Sequence, residues 1–166
     1  MTATLTSAYW EHSKHQAKLV NNGVTLIEMK FNSKGALIKI GENRLVISRH
    51  GFWNPGLLIR ENNTTIGTQK QSGFWGTKME VILDNEIFTA RTKQGRLFNI
   101  TYTREGVDIL TYKLDTLKLK PVVQFEIHSY ELPQKQLLLL MAFGFYSIKN
   151  AAIEAVSNDF IVVAIA

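Results

Sequence analysis

Two glycine-flanked aromatic tripeptides carry the side chains best suited to hold a ligand. Gly-Phe-Trp occurs at residues 51–53 and again at residues 73–75, and basic residues lie close to both copies. An indole beside cations is typical of a surface that meets a membrane interface or an anionic ligand. If both loops lie on one rim of the fold, they form a single aromatic and cationic patch. The predicted ligand-binding residues are Arg49, His50, Trp53, Lys70, Trp75 and Lys78.

The alternative interpretation of these loops is structural, with both indoles packed into the core at one end of the fold. Two further basic groups lie near other turns, at Arg91, Lys93 and Arg96 and at Lys118 and Lys120. Such cations could contact phosphates. They could equally protect the edges of solvated strands, which lysine commonly does.

Residue patterns that support catalysis, cofactors or metals are missing from the sequence. The chain has no cysteine, which rules out thiolate chemistry and a cysteine-based zinc site. His12 and His15 are three residues apart, but no carboxylate partner is predictable, so they are interpreted as surface histidines. Ser147 is not in a nucleophile-elbow motif and is interpreted as a polar end to an apolar segment. We expect a protein that is not an enzyme and has no cofactor and no metal site.

Composition indicates one globular domain spanning residues 1–166. Hydrophobic residues make up 45% of the chain and charged residues 20%, with a formal net charge of +5. A mildly basic surface favours anionic lipids, whereas nucleic-acid binding is not expected because no aromatic recognition motif is present. The first residues lack a secretory signal pattern. The expected location is therefore the cytoplasm, at the periphery of a membrane where lipid is bound.

The segment Gln136–Ile148 is the most hydrophobic part of the chain and predicts a buried helix. It has no charged residue from Leu137 to Phe145, and Pro133 stands where a proline suits the first helical turn. The helix could continue through Lys149 and Asn150. A helix that is apolar on every side must be surrounded by protein or lipid. The apolar run is shorter than the roughly 20 residues that cross a bilayer, which favours protein, and membrane insertion is the alternative.

Alternating segments before the helix predict about ten to twelve short antiparallel strands. In the segment 24–31 the pattern places Val24, Leu26 and Ile27 against the core, and a turn follows at residues 32–35. In the segment 122–130 it places Val123 and Phe125 on one face. Asn- and Gly-rich turns between such segments indicate consecutive hairpins. The predicted fold is therefore mainly β, a closed or nearly closed antiparallel barrel of about twelve strands around a central hydrophobic C-terminal helix.

This order of elements resembles the tubby C-terminal-like superfamily, which includes phospholipid scramblases and the plant LURP-one-related proteins. The resemblance is carried by LLLLMAFGFY after VVQFEIHSY, and by the preceding segments ENRLVIS, LLIRE, MEVIL, EIFTAR and RLFNITY. It implies a closed barrel of about twelve strands with the helix through its middle. Tubby proteins bind phosphoinositide head groups through barrel lysines and arginines, although no such site can be matched here residue by residue. The acidic calcium-binding segment of scramblases has no counterpart beside this helix.

These observations lead to the expectation of a non-enzymatic binding domain that engages anionic lipid head groups or a protein partner through its loops. Three alternatives remain: a membrane-associated scramblase-like protein, a pleckstrin-homology-like module, and a carrier with a ligand inside the barrel. A capping helix of the pleckstrin-homology kind would be amphipathic, and a central helix would occupy the space of a carried ligand. The all-round apolar helix therefore favours the binding domain over the pleckstrin-homology-like module and over the carrier.

Overall fold

The computed structural model describes residues 5–51, 56–72, 77–93, 97–115, 122–155 and 161–164. These residues form one sheet of thirteen strands and one helix, in which each strand pairs with its neighbours in sequence. The first twelve strands are antiparallel, and the last is parallel to the twelfth. The predicted mainly β fold of about twelve antiparallel strands with a C-terminal helix is confirmed.

The strands are β1 (Tyr9–His12), β2 (Gln16–Asn21), β3 (Val24–Asn32), β4 (Gly35–Ile40), β5 (Asn43–His50), β6 (Gly56–Glu61), β7 (Thr64–Ser72), β8 (Lys78–Leu83), β9 (Glu86–Lys93), β10 (Leu97–Arg104), β11 (Val107–Asp115), β12 (Val122–Ile127) and β13 (Ile161–Ala164). The helix α1 spans Gln134–Ala155 and lies between β12 and β13 in sequence.

Two-residue turns fix the register of the hairpins at one end of the sheet. Both turn residues have positive φ in the turns Asn22–Gly23, Asn62–Asn63, Asp84–Asn85 and Glu105–Gly106. Two consecutive positive φ values define the type I′ turn, whose twist matches that of the flanking strands. Asn, Asp and Gly tolerate this conformation best, which is why these residues end the strands here.

The inward face of the sheet carries the core, and three bulges increase its curvature. The pairing register shifts once in each of the hairpins β2–β3, β6–β7 and β10–β11, so the shifts recur at every fourth strand. A bulge bends its strand and increases the local twist. The alternation of buried and exposed residues along the strands then places one face against α1.

Helix α1 is buried on every side from Gln136 to Tyr146. Each residue from Gln136 to Phe143 has an exposed fraction of 5% or less. Its leucines and aromatic rings share one continuous core with the inward residues of the sheet. Each such side chain contributes about 1.5–3 kcal/mol when it leaves water. The helix therefore depends on the surrounding strands, as its all-round apolar sequence predicts.

Two buried polar contacts fix the helix within this core. Tyr112 donates its hydroxyl hydrogen to the backbone oxygen of Met141 (2.9 Å) and accepts a hydrogen bond from the Trp10 indole N–H (3.1 Å). Gln69 accepts a hydrogen bond from the Tyr102 hydroxyl (3.1 Å) and donates one to Ser147. Buried polar groups are costly unless paired, so these contacts select one position of the helix along the sheet.

Several predicted details need correction. The prediction that Val24 faces the core is wrong, because 60% of this residue is exposed. Ile27, which the same pattern places against the core, is buried, and so is Met29. Strand β12 ends at Ile127 rather than Tyr130, with Val123 and Phe125 buried as predicted. The helix continues past Ser147 through Lys149 and Asn150 to Ala155, a continuation that the sequence predicted.

The two outer strands of the sheet, β1 and β13, approach each other with Cα atoms within 8 Å. Within the described ranges no strand pairing joins them. Among the residues that the structure describes, no helix combines the length and the hydrophobicity needed to cross a bilayer.

Candidate functional site

Because each strand pairs with its neighbours in sequence, the strands end at two opposite ends of the sheet, and these two ends differ chemically. The type I′ turns and the first turn of α1 lie at one end, where Lys135 pairs with Glu61 (3.5 Å). The opposite ends of these strands and the second half of α1 lie at the other end, where Lys149 contacts the turn between β1 and β2. We call the first the acidic end and the second the basic end, for the reason given next.

Charged residues in the described turns, in the three strand positions nearest to each end and on α1 as far as Asn150 separate by sign. The basic end has Lys14, Lys18, Lys30, Lys34, Arg49, Lys70, Lys78, Arg91, Lys93, Lys113 and Lys149 against Glu11, Glu80 and Asp115. The acidic end has Glu42, Glu61, Asp84, Glu86, Glu105, Asp108, Glu126 and Glu131 against Lys39, Arg44, Arg60, Arg104 and Lys135. This separation directs one end of the molecule towards anions.

Part of the basic end is a row of basic side chains on the outward face of the sheet, which we call the outer stripe. Its members alternate with buried residues along β7, β8, β9 and β11, so their side chains point away from the core. Lys78 lies directly opposite Arg91 in the register of β8 and β9. The outer stripe consists of His50, Lys70, Lys78, Arg91, Lys93 and Lys113.

The structure divides the six predicted ligand-binding residues among three places. His50, Lys70 and Lys78 belong to the outer stripe, and Gly56 pairs with both His50 and Lys70. Arg49 lies at the end of β5 next to His50 and lines a separate pocket. Trp53 and Trp75 lie outside the described residues, as do Arg96, Lys118 and Lys120. The four described residues of the predicted rim patch therefore lie on two separate surfaces.

The second surface is a cavity of about 350 Å³ at the basic end, which we call the end pocket. The turns β1–β2 and β3–β4, the end of β5 and the second half of α1 supply its walls. Four basic side chains line it, and no carboxylate is present among its described lining residues. The lining consists of Lys14, His15, Phe31, Asn32, Ser33, Gly35, Arg49, Tyr146, Lys149 and Asn150.

Backbone contacts hold the walls of the end pocket together. The Phe31 N–H donates to the backbone oxygen of His15 (2.8 Å), which joins the first two turns. The Arg49 N–H donates to the backbone oxygen of Lys34 (3.3 Å), which joins the second turn to β5. The ring of Phe31 stacks beside Tyr146, with centroids 6.4 Å apart. The pocket is therefore assembled by the fold rather than by a single loop.

Lys149 is the buried cation of the end pocket, with an exposed fraction of 2%. Its ammonium donates to the backbone oxygen of Ser13 (3.0 Å) and lies 4.6 Å from the centroid of the Phe31 ring. Burial lowers the pKa of the Lys149 amine, because removal from water disfavours the charged form. An anion in the pocket would counter this cost.

Sequence reasoning missed most of the end pocket. Lys14 and His15 precede β2, and Tyr146 and Lys149 are more than a hundred residues later, so no local motif joins them. One signal was available: Lys149 follows the apolar run Leu137–Tyr146 after only two residues, within the same helix. A charge in such a position must reach a partner or the surface.

In the part of the chain that the structure describes, no group of three or more His, Cys, Asp or Glu side chains is arranged to hold a metal ion. His12 lies at the end of β1, and His15 lies in the following turn. Comparisons with models of protein families, with curated proteins and with solved structures yield no match.

Proposed function

We propose that this chain is a non-enzymatic binding domain whose basic end docks on an anionic membrane surface. The observation that carries the proposal is the outer stripe, in which cations from β5, β7, β8, β9 and β11 project from one face. A Lys or Arg near an anionic surface contributes about 1 kcal/mol, so a stripe of this size supports reversible attachment.

The arrangement of Lys78 and Arg91 supports a ligand for the stripe. Like charges directly opposite each other in an antiparallel pair are destabilising. Across their other strand neighbours, Lys78 pairs with Ser72 and Arg91 with Thr101, so no carboxylate lies directly opposite either residue. At the acidic end Lys39 also lies opposite Arg44, but there Glu28 pairs with Lys39 from the other side. An external anion would give Lys78 and Arg91 the opposing negative charge that Glu28 gives Lys39.

The proposal includes the finer architecture that the sequence predicts. The sheet is proposed to close into a barrel around α1, and the chain is proposed to be a divergent relative of the tubby C-terminal-like superfamily. The approach of β1 to β13 and the burial of α1 on every side support closure. A helix buried in this way occupies the space that a carried ligand would need. It also differs from the capping helix of a pleckstrin-homology module, which is amphipathic.

Vesicle co-sedimentation tests the docking proposal. Vesicles of phosphatidylcholine alone are compared with vesicles that also contain phosphatidylserine, using the full chain and two double variants. The test variant is Lys78→Glu with Arg91→Glu. The control is Lys39→Glu with Arg44→Glu, which reverses the same two residue types in the same cross-strand geometry at the acidic end.

We expect binding only to the anionic vesicles, weakened at least about tenfold in the test variant, because each lost cation removes about 1 kcal/mol. The control should bind as the unmodified chain does. Raised salt should weaken binding, since exposed charges are screened. Equal binding by the two variants, or no binding to anionic vesicles, overturns the membrane proposal and leaves an acidic protein surface as the competing partner.

A further inference from the structure

The end pocket differs from the outer stripe in shape and in burial. The stripe is a flat row on the outside of the sheet, whereas the pocket is a concave site of about 350 Å³ between the strand ends and α1. Lys149 is almost fully buried there. A general attraction between a basic face and a membrane does not require a buried lysine in a formed cavity. The pocket therefore indicates a discrete ligand.

The chemistry of the lining selects an anion with several acceptor oxygens. Arg49 offers a planar fork of donors, and Lys14 and Lys149 offer ammonium groups. Amide and hydroxyl groups of Asn32, Asn150 and Ser33 add neutral donors. A dianionic phosphate monoester presents three terminal oxygens and more charge than a carboxylate. It matches a site that has several cations and no carboxylate in its described lining.

The volume of the end pocket and its aromatic wall indicate what the rest of the ligand is like. Cavities of roughly 300–1,000 Å³ hold small organic ligands, which is more room than a phosphate group alone needs. Phe31 and Tyr146 form an apolar side to the pocket, next to the cations. The site thus has room for a small carrier group attached to the phosphate.

We infer that the end pocket binds a phosphate monoester on a small carrier group, with Arg49, Lys14 and Lys149 as its cationic contacts. The inference rests on the proposed function in placing the ligand at the basic end. The phosphate monoester can come from a soluble metabolite or from a lipid head group. Both present the same group to the pocket, so the experiment has one arm for each source.

Isothermal titration calorimetry with glycerol phosphate, and with glycerol as the uncharged comparison, tests the soluble source. The main variant is Arg49→Gln, chosen because Arg49 is exposed and its replacement leaves the core intact. Lys14→Gln is a second exposed variant, and Lys149→Met is checked for folding by circular dichroism. The matched control is Lys39→Gln, an exposed cation at the acidic end.

The lipid source is tested with vesicles that contain either phosphatidic acid, a phosphate monoester, or phosphatidylglycerol, a diester, at equal total charge. The outer stripe responds to charge and should treat the two lipids alike. The end pocket should give a preference for phosphatidic acid that disappears in Arg49→Gln.

Two outcomes support the inference. In the first, glycerol phosphate binds and Arg49→Gln weakens it about ten- to hundredfold, as expected for a lost charge-assisted hydrogen bond, while Lys39→Gln has no effect. In the second, phosphatidic acid is preferred and only the pocket variants lose the preference. No binding of glycerol phosphate together with equal binding of the two lipids overturns the inference. Docking by the stripe would survive that result, so the two failures are distinguishable.

Discussion

Lys78 and Arg91 lie directly opposite each other on β8 and β9, with both side chains on the outward face of the sheet. In such a pair the Cβ atoms are about 4.5–5.5 Å apart, close enough for two positive charges to destabilise the sheet. The same two residues lie at the centre of the outer stripe. The proposed anion-binding surface is therefore centred on a pair of like charges that lowers the stability of the sheet.

Replacing Arg91 with Glu should therefore stabilise the free protein and weaken its binding. The new pair with Lys78 is of opposite sign, and such pairs contribute roughly 0.2–1 kcal/mol. We expect the urea midpoint to rise by a corresponding amount while attachment to anionic vesicles falls. Stabilisation that accompanies loss of function is common at binding surfaces.

Arg44→Glu is the matched control for Arg91→Glu. Lys39 already pairs with Glu28 on its other side, so relief of its repulsion with Arg44 should raise stability less. Vesicle binding should not change. If Arg91→Glu lowers the urea midpoint, the repulsion assigned to this pair is absent.

Tyr112→Phe should lower the free energy of unfolding by about 1–3 kcal/mol, because it leaves buried polar groups without partners. The hydroxyl of Tyr112 donates to the Met141 oxygen and accepts from the Trp10 indole, so the indole N–H loses its acceptor. Urea denaturation measures the change. Trp10→Phe together with Tyr112→Phe should cost less than the sum of the two single changes, since the two side chains are coupled. Strict additivity would mean that the hydrogen bond contributes nothing.

The fold was predictable where a local pattern decides the structure. Asn62–Asn63 and Asp84–Asn85 are turn residues that accept positive φ, and each ends a strand as expected. The run from Leu137 is apolar on every side, so other apolar residues had to surround it, and the sheet provides them. The prediction that Val24 faces the core failed because Val24 is the first residue of β3, beside the turn Asn22–Gly23, and is 60% exposed. Alternation alone does not show where the core ends along a strand.

The candidate site was predictable only in part, because its residues meet through tertiary structure. Lys70 and Lys78 were found from their nearness to a Gly-Phe-Trp tripeptide, and the sheet does place them on adjacent strands. The end pocket joins Lys14 to Lys149 through packing of α1 against the first hairpins, which no local spacing encodes. Arg49 was predicted to accompany the aromatic loops, whose Trp53 and Trp75 lie outside the described residues, and it lines that pocket.

Gly144→Ala should destabilise the protein although alanine is the better helix former. A Cβ at position 144 would overlap the ring of Tyr112 and lie 3.2 Å from the ring of Tyr102. Alanine gains about 1 kcal/mol in helix propensity, whereas overpacking a tight core costs typically 1–3 kcal/mol. We expect a lower urea midpoint. A higher midpoint would show that both rings can move away from the helix.

The stability of the protein should fall above pH 10 because of Tyr102 and Tyr112. Burial raises the pKa of both hydroxyls above the ordinary value of 10.0. Above pH 10 the unfolded chain releases these protons while the folded chain retains them, so the stabilising contribution is complete below pH 10 and is lost as pH rises. Urea midpoints measured from neutral to alkaline pH should fall less steeply in Tyr102→Phe than in the unmodified chain.

Lys149 should act in the opposite direction, in a pH window that ends near its ordinary pKa of 10.5. Burial lowers the pKa of its amine below the ordinary 10.5, so between the two values the unfolded chain holds a proton that the folded chain lacks. Stability therefore rises with pH in that window. Lys14 and Arg49 line the same pocket and add positive charge beside the amine. The stability of the unmodified chain relative to Lys149→Met should increase as pH rises towards 10.5. A constant difference between the two would show that the Lys149 ammonium is not destabilised by its burial, and that the end pocket is better hydrated than its geometry indicates.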